Sequence, residues 1–308
     1  MSFQDGGTFQ GGRVKRSSGG GGGMGMKLGG GGIGALLIGV VIVLLSGGDA
    51  GDVLNQVAGQ LGNGGIGTGD LRASDESGDV GTCTADQANS DRECRLSATM
   101  YALDAYWTQT LPQQARIKYV LPDAVSFSGS VNTACGAATS ASGPFYCPGD
   151  QTLYEDVTFF DQMFAQIGGK DGSFAEEYVV AHEVGHHVEQ ITGVMDQARR
   201  GGSGADSDSV KIELMADCLA GMWAGQASTT IDPNTGRPFL EPITKAQLTN
   251  AIEAAQTVGD DHIQSLGGGR PNPESFTHGT SAQRVKWFTI GYQNNSLQQC
   301  NTFQASSL

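Results

Sequence analysis

Apolar and polar residues along this chain fall into one long uncharged run followed by a series of shorter periodic segments. The run is Ile33-Gly34-Ala35-Leu36-Leu37-Ile38-Gly39-Val40-Val41-Ile42-Val43-Leu44-Leu45, and uncharged flanks from Leu28 to Gly32 and from Ser46 to Gly48 lengthen it. A bilayer core takes about 20 helical residues, so one transmembrane helix is predicted over 28–48. Further on, Leu96, Met100, Leu103, Ala105 and Trp107 make an apolar stripe that predicts a helix from Asp91 to Gln109. Ala124 to Ser128 alternates as a strand does, and Gly143 to Tyr146 leads through Pro148-Gly149-Asp150 to Thr152-Leu153-Tyr154, two strands joined by a turn. A helical pattern then runs from Ser173 through Gln190, with Ser173 and Glu176 spaced as a capping box and a stop near Gly193. Lys211 to Ala220 reads as the next helix, and Lys245 to Ser265 and Ser281 to Gln293 as the last ones. The sum is an α+β domain, mostly helical with a small sheet.

Composition divides the chain. Of 48 glycines many lie early, and residues 17–32 are rich in Gly and Ser, which cannot build a core. Residues 1–27 are expected as a basic Gly/Ser-rich tail, 28–48 as the membrane anchor, 49–82 as a flexible linker and 83–308 as the folded domain. Within the linker, Val53 to Leu61 is a weak amphipathic patch, a short helix at most. Arg13, Lys15, Arg16 and Lys27 precede the apolar run and Asp49 and Asp52 follow it. By the positive-inside rule the N-terminus is cytoplasmic and the domain extracytoplasmic, in a single-pass arrangement. The rival, a cleaved signal peptide, is disfavoured by the long preceding segment and by the lack of a clear small-x-small site after Leu45.

All six cysteines follow the run and none has C-x-x-C spacing, which suits an oxidising compartment. Fifteen disulfide connectivities are possible. The pairing favoured here is Cys83 with Cys94, Cys135 with Cys147, and Cys218 with Cys300. A net charge of -14 argues against nucleic acid as a partner.

The chemistry concentrates at His182-Glu183-Val184-Gly185-His186. Helical positions i and i+4 share a face, so both imidazoles can reach one metal ion, while Glu183 is rotated to where a general base can act on a metal-bound water. A catalytic zinc needs a third protein ligand. Glu213 and Asp217, again i and i+4, sit among Leu, Met, Ala, Cys and Trp, and a buried carboxylate demands a partner. Glu213 is the expected third ligand and Asp217 the acceptor of a ligand histidine's free N–H, with the opposite assignment open. His187 points about 100° from His186 and is not expected to ligate. Cys218 is badly placed for a thiolate ligand beside Glu213 and Asp217.

His182, Glu183, His186, Glu213 and Asp217 match the pattern of glutamate-type zincins. More narrowly, Ser128 to Gly136, Gly143-Pro144-Phe145-Tyr146-Cys147-Pro148 and His278-Gly279-Thr280-Ser281-Ala282-Gln283-Arg284 resemble the bacterial membrane-anchored family of putative neutral zinc metallopeptidases, over roughly residues 83–308 together with the anchor. The resemblance implies a zincin-like fold, one Zn2+ and a periplasmic or exterior location. It also implies that His278 stabilises the oxyanion, with Arg284 as its support; a capping-loop histidine with a structural arginine is the plainer alternative. His262 stands where the family usually has Arg and reads as a surface salt-bridge partner. A strand before the zinc helix usually forms the upper rim of such a cleft, and either Phe145-Tyr146 or Val131-Asn132-Thr133 would serve.

The expected function is a membrane-anchored zinc endopeptidase acting on peptide or protein substrates. The alternatives are a catalytically silent zinc-bearing adaptor and a hydrolase of cell-wall peptide cross-links. Glu183 argues against the adaptor, since structural zinc needs ligands but no base.

Overall fold

Alternating and helical segments interleave along the chain and give a small sheet together with a set of helices. A computed structural model describes residues 1–18, 78–160, 172–199, 202–257, 259–266 and 271–308. In chain order the strands and helices are β1 (Thr8–Phe9), β2 (Lys15–Ser18), β3 (Gly78–Asp79), β4 (Cys83–Thr84), α1 (Ala85–Ser90), α2 (Arg92–Ala115), β5 (Asp123–Ser128), β6 (Ser130–Thr133), β7 (Gly136–Thr139), β8 (Phe145–Cys147), β9 (Thr152–Asp156), α3 (Ser173–Ile191), α4 (Asp208–Gln226), α5 (Lys245–Thr257), α6 (Asp260–Leu266) and α7 (Ser281–Asn294). The fold is thus mixed α and β, as expected. The main sheet has five strands in the order β3-β2-β5-β9-β8. Strands β2, β5 and β9 run parallel, and the edge strands β3 and β8 are antiparallel to their neighbours. Strands β6 and β7 form a separate two-stranded ladder. Among the described residues no helix is long and apolar enough to cross a membrane. The anchor predicted over 28–48, the patch at 53–61 and most of the linker lie outside the described residues.

The N-terminal residues differ from expectation. The sequence suggests a tail separate from the domain, yet residues 1–18 are built into it. Phe3, Phe9 and Val14 are core residues, and β2 pairs with β5 from Lys15 opposite Val125 to Ser18 opposite Ser128. Arg13 Nε donates to Asp104 Oδ2 at 2.6 Å, and Arg16 Nη2 to Glu93 Oε2 at 2.6 Å. Arg13 and Arg16, two of the four residues read as a membrane-orienting signal, are thereby in ion pairs with α2. At the other end of the linker, residues 78–82 also belong to the fold, with Val80 buried.

Local differences have physical causes. Helix α2 outruns its predicted end at Gln109 and continues through Pro112 to Ala115, because burial of Leu111 outweighs the proline's lost hydrogen bond. The capping box of α3 does not form: Gly172 is the N-cap, and Glu176 is drawn away to Arg92, at 2.8 Å, and to Arg95. The stretch 245–265 is two helices, α5 and α6, separated around Gly259, where a Cβ would lie 2.4 Å from the Ser281 backbone N.

Three disulfides link Cys83 to Cys94, Cys135 to Cys147 and Cys218 to Cys300, the pairing favoured from the sequence. Close helix contacts set the rest. A Cβ on Gly291 of α7 would stand 1.8 Å from the Cys218 carbonyl oxygen of α4, and one on Gly221 would stand 2.1 Å from that of Phe288. The two backbones therefore touch, which only glycine permits. Gly185, inside the histidine motif, does the same for α3 against α4, where its Cβ would meet Ala216 at 3.0 Å.

Candidate metal centre

The contact of α3 with α4 at Gly185 brings the two predicted pairs together. Nitrogens of His182 and His186 and a carboxylate oxygen of Glu213 all lie within 4.8 Å of one another, a grouping that could hold a metal ion. Glu213 Oε2 is 3.2 Å from His182 Nε2, and Glu213 Oε1 is 3.7 Å from His186 Nε2. The other nitrogen of each ring is engaged behind the cluster. His182 Nδ1 lies 2.9 Å from Asp217 Oδ1, and His186 Nδ1 lies 2.8 Å from Glu189 Oε2. With a carboxylate on each Nδ1, each ring has Nε2 turned towards the shared point, the tautomer arrangement that metal-ligating histidines use. Of the two acids whose assignment was open, Glu213 faces both Nε2 atoms and Asp217 stands behind His182.

Asp217 is fully buried and fully engaged. Arg284 donates Nε to its Oδ2 and Nη2 to its Oδ1, both at 2.8 Å, and the Tyr178 hydroxyl donates to Oδ1. Burial opposes its charge, but Arg284 and the His182 hydrogen bond outweigh that and bring its carboxyl down to about 2. Glu213 is likewise held well below the usual range: burial is overcome by His186 and His182. Burial works against a charge on His182 too, but its bonds to Asp217 and Glu213 push it up to about 10. A metal ion entering here therefore finds an anionic carboxylate, and it binds rings whose Nε2 carries no proton. Two imidazoles and one carboxylate are a donor set that zinc accepts.

Glu183 lies beside the cluster and is buried. Burial raises its pKa, against the opposing pull of His186 and His182. Its Oε2 accepts the backbone N–H of Tyr146 at 2.8 Å, so the sheet edge that meets Glu183 is β8 and not β6. His187 is buried and turned away from the shared point: its Nε2 donates to the Val120 carbonyl at 2.6 Å, and its Nδ1 is 2.9 Å from the Tyr146 hydroxyl. Burial, followed by the opposing Val120 contact, leaves its pKa below the ordinary value.

His278 lies within electrostatic range of Glu213. Its support is not Arg284, which is committed to Asp217. Asp260 takes that part, accepting the backbone N–H groups of Thr277, His278 and Gly279 on Oδ2 at 2.8, 2.7 and 2.9 Å and facing His278 Nδ1 with Oδ1 at 3.2 Å. Asp261 caps α7 through Ser281 N at 2.7 Å. The two acids that precede His262 in sequence are therefore engaged with the loop carrying His278 and with the start of α7.

Sequence reasoning missed Glu189, Tyr178 and Asp260. The first two could have been found, since Glu189 is i+3 from His186 and Tyr178 is i−4 from His182 on one helix. Asp260 meets His278 through a loop, and no helical or strand spacing signals that.

The family described as putative neutral zinc metallopeptidase matches this chain over residues 5–303. An uncharacterized protein of Mycobacterium tuberculosis is 48% identical over 231 residues, which is 75% of this chain and 77% of that protein. The uncharacterized protein YpfJ of Escherichia coli is 39% identical over 224 residues, 71% of this chain and 74% of its own. No solved structure matches.

Proposed function

This chain belongs to the putative neutral zinc metallopeptidase family, and from that premise we propose that it is a zinc-dependent endopeptidase whose ligands are His182, His186 and Glu213 and whose general base is Glu183. The observation that carries the reading is Glu183 lying buried beside two Nε2 atoms and one carboxylate that converge on a single point. Zinc bound there supplies a Lewis acid that lowers the pKa of water toward about 7. Glu183 takes the proton of the attacking water and returns it to the leaving amine. His278, oriented by Asp260, donates a hydrogen bond to the oxygen of the peptide carbonyl as negative charge develops on it. Asp217 and Glu189 hold the two ligand rings in their tautomers, and Arg284 and Tyr178 hold Asp217. A zincin-like fold is supported by the antiparallel edge strand β8 meeting the helix that bears the histidines.

The three disulfides support an extracytoplasmic site of action. Membrane attachment through Ile33 to Leu45 is part of the proposal, with one condition. The pairing of β2 with β5 in one sheet favours residues 1–18 and the catalytic domain on the same side of the bilayer, which the single crossing expected from the sequence would not give. Protease accessibility of a tag placed at the N-terminus of cells with an intact inner membrane tests this.

The substrate class is tested by incubating the zinc-loaded full chain with an unfolded protein and, separately, with muropeptides. Chelator-sensitive cleavage of the protein supports the endopeptidase, cleavage of muropeptides alone moves the assignment to cell-wall cross-links, and cleavage of neither favours the adaptor.

A further inference from the structure

Helix α3 carries a second line of functional groups beside its histidine face. Glu183, His187 and Gln190 are spaced i, i+4 and i+7, so they form one stripe, and that stripe faces β8. Four contacts fasten the strand and the residue after it to that stripe. The Tyr146 N–H donates to Glu183 Oε2 at 2.8 Å, the Tyr146 hydroxyl sits between His187 Nδ1 at 2.9 Å and Gln190 Oε1 at 2.5 Å, and Gln190 Nε2 donates to the Pro148 carbonyl at 3.0 Å. His187 is in turn fixed from behind by the Val120 carbonyl at 2.6 Å, and its ring meets those of Tyr119 and Tyr146 edge-on. Among the described residues strand β8 is at the sheet's edge, paired on one side only, with Tyr146 opposite Leu153. The N–H of Tyr146 points away from β9 and its hydrogen-bond partner is the carboxylate of Glu183.

We propose that His187, Gln190 and the Tyr146 phenol are positioning residues that lock the rim strand onto the zinc helix, so that the Tyr146 backbone N–H fixes the rotamer of Glu183. The catalytic part of this rests on the reading of Glu183 as the base. A carboxylate with one oxygen tied to a fixed N–H presents its other oxygen, Oε1, in one direction. An untethered one samples several rotamers and spends only part of its time aligned. The clamp also explains two polar helix positions, His187 and Gln190, that metal binding alone does not need: His187 is invested in the strand, not in the metal.

The test uses the full chain and the variants Tyr146→Phe and His187→Gln, each alone and with Glu183→Asp. The first readout is amide exchange at residue 146 in the metal-free protein. We expect it to be slow in the parent and at least about tenfold faster in both clamp variants, with the amides of β9 unchanged. The second is steady-state peptide hydrolysis by the zinc-loaded protein: kcat falls about tenfold with KM within about twofold and full zinc content. Against Glu183→Asp, whose shorter side chain no longer reaches the Tyr146 N–H, either clamp substitution has no further effect on kcat. Unchanged exchange at residue 146 would overturn the clamp whatever the kinetics. A fall in kcat that tracks zinc loss, or that adds in full to Glu183→Asp, would reduce the three residues to structural ones. If the parent hydrolyses nothing, the exchange readout still decides the clamp, so its failure is separable from that of the peptidase reading.

Discussion

Replacing Asp217 with Asn keeps the shape of the side chain and removes its charge, which makes it the sharpest probe of how the centre is held. Asp217 is fully buried, and it receives two charge-assisted bonds from Arg284, one from Tyr178 and one contact from His182. In Asp217→Asn the Arg284 guanidinium stays buried, at 4 % exposure, and loses the charge that Asp217 sets against it, and one amide hydrogen pair faces donors instead of accepting from them. Breaking a buried pair in this way costs about 3–5 kcal/mol. At roughly 2–4 °C per kcal/mol for a domain of this size, the melting temperature of the metal-free chain should fall by about 6–20 °C. His182 also loses the carboxylate that fixes its tautomer, so zinc affinity should drop about 10–100-fold. Urea denaturation of the metal-free full chain and a competitive zinc titration measure the two effects separately. A stability loss under about 1 kcal/mol together with unchanged zinc affinity would refute both the placement of Asp217 and the role assigned to it.

The N-terminal segment should be indispensable: burying Phe3, Phe9 and Val14 at about 1.5–3 kcal/mol each is worth roughly 5–9 kcal/mol, comparable to the whole stability of a domain, so a chain starting at residue 78 should not unfold cooperatively. A sharp denaturation transition matching that of the full chain would contradict it. Gly291→Ala should cost more than about 3 kcal/mol in urea, because its Cβ would lie 1.8 Å from the Cys218 carbonyl and has only backbone to push against; a loss below about 1 kcal/mol would mean that α4 and α7 do not touch there. For Asp260, burial opposes its charge but the His278 side chain and backbone N–H groups outweigh it, so its folded pKa lies below 3.8. A depressed folded pKa gives stability that is present above the unfolded value and lost as pH falls through the folded one. The stability difference between the parent and Asp260→Asn should therefore be full near neutral pH and shrink below about pH 4; a difference that is flat with pH would contradict the assignment.

The parts of this centre that lie on one helix were legible in the sequence, because a fixed 3.6-residue period converts spacing into geometry. That is why His182, Glu183 and His186, and separately Glu213 and Asp217, could be grouped from their spacing alone. Their convergence rests on the small residues Gly185 and Ala216, whose role is visible only once the helices are seen to touch. Long-range partners were not legible. Arg284 could be joined to the centre only by resemblance, which attached it to His278, whereas burial of Asp217 requires the guanidinium there. The N-terminal residues were misread for a similar reason. A glycine-rich neighbourhood and three basic residues describe a tail in composition, and only tertiary pairing turns Lys15 to Ser18 into an interior strand of the sheet. The membrane-spanning prediction concerns residues that the structure does not describe.

The central claim, that His182, His186 and Glu213 hold zinc and Glu183 works on water beside it, is tested most directly by zinc content and peptide hydrolysis measured on the full chain beside Glu183→Gln. The expected result is one zinc per chain in both proteins and a loss of turnover of about 10²–10⁴ in the variant. Equal turnover in the two proteins, or a parent chain that binds no zinc, would contradict it.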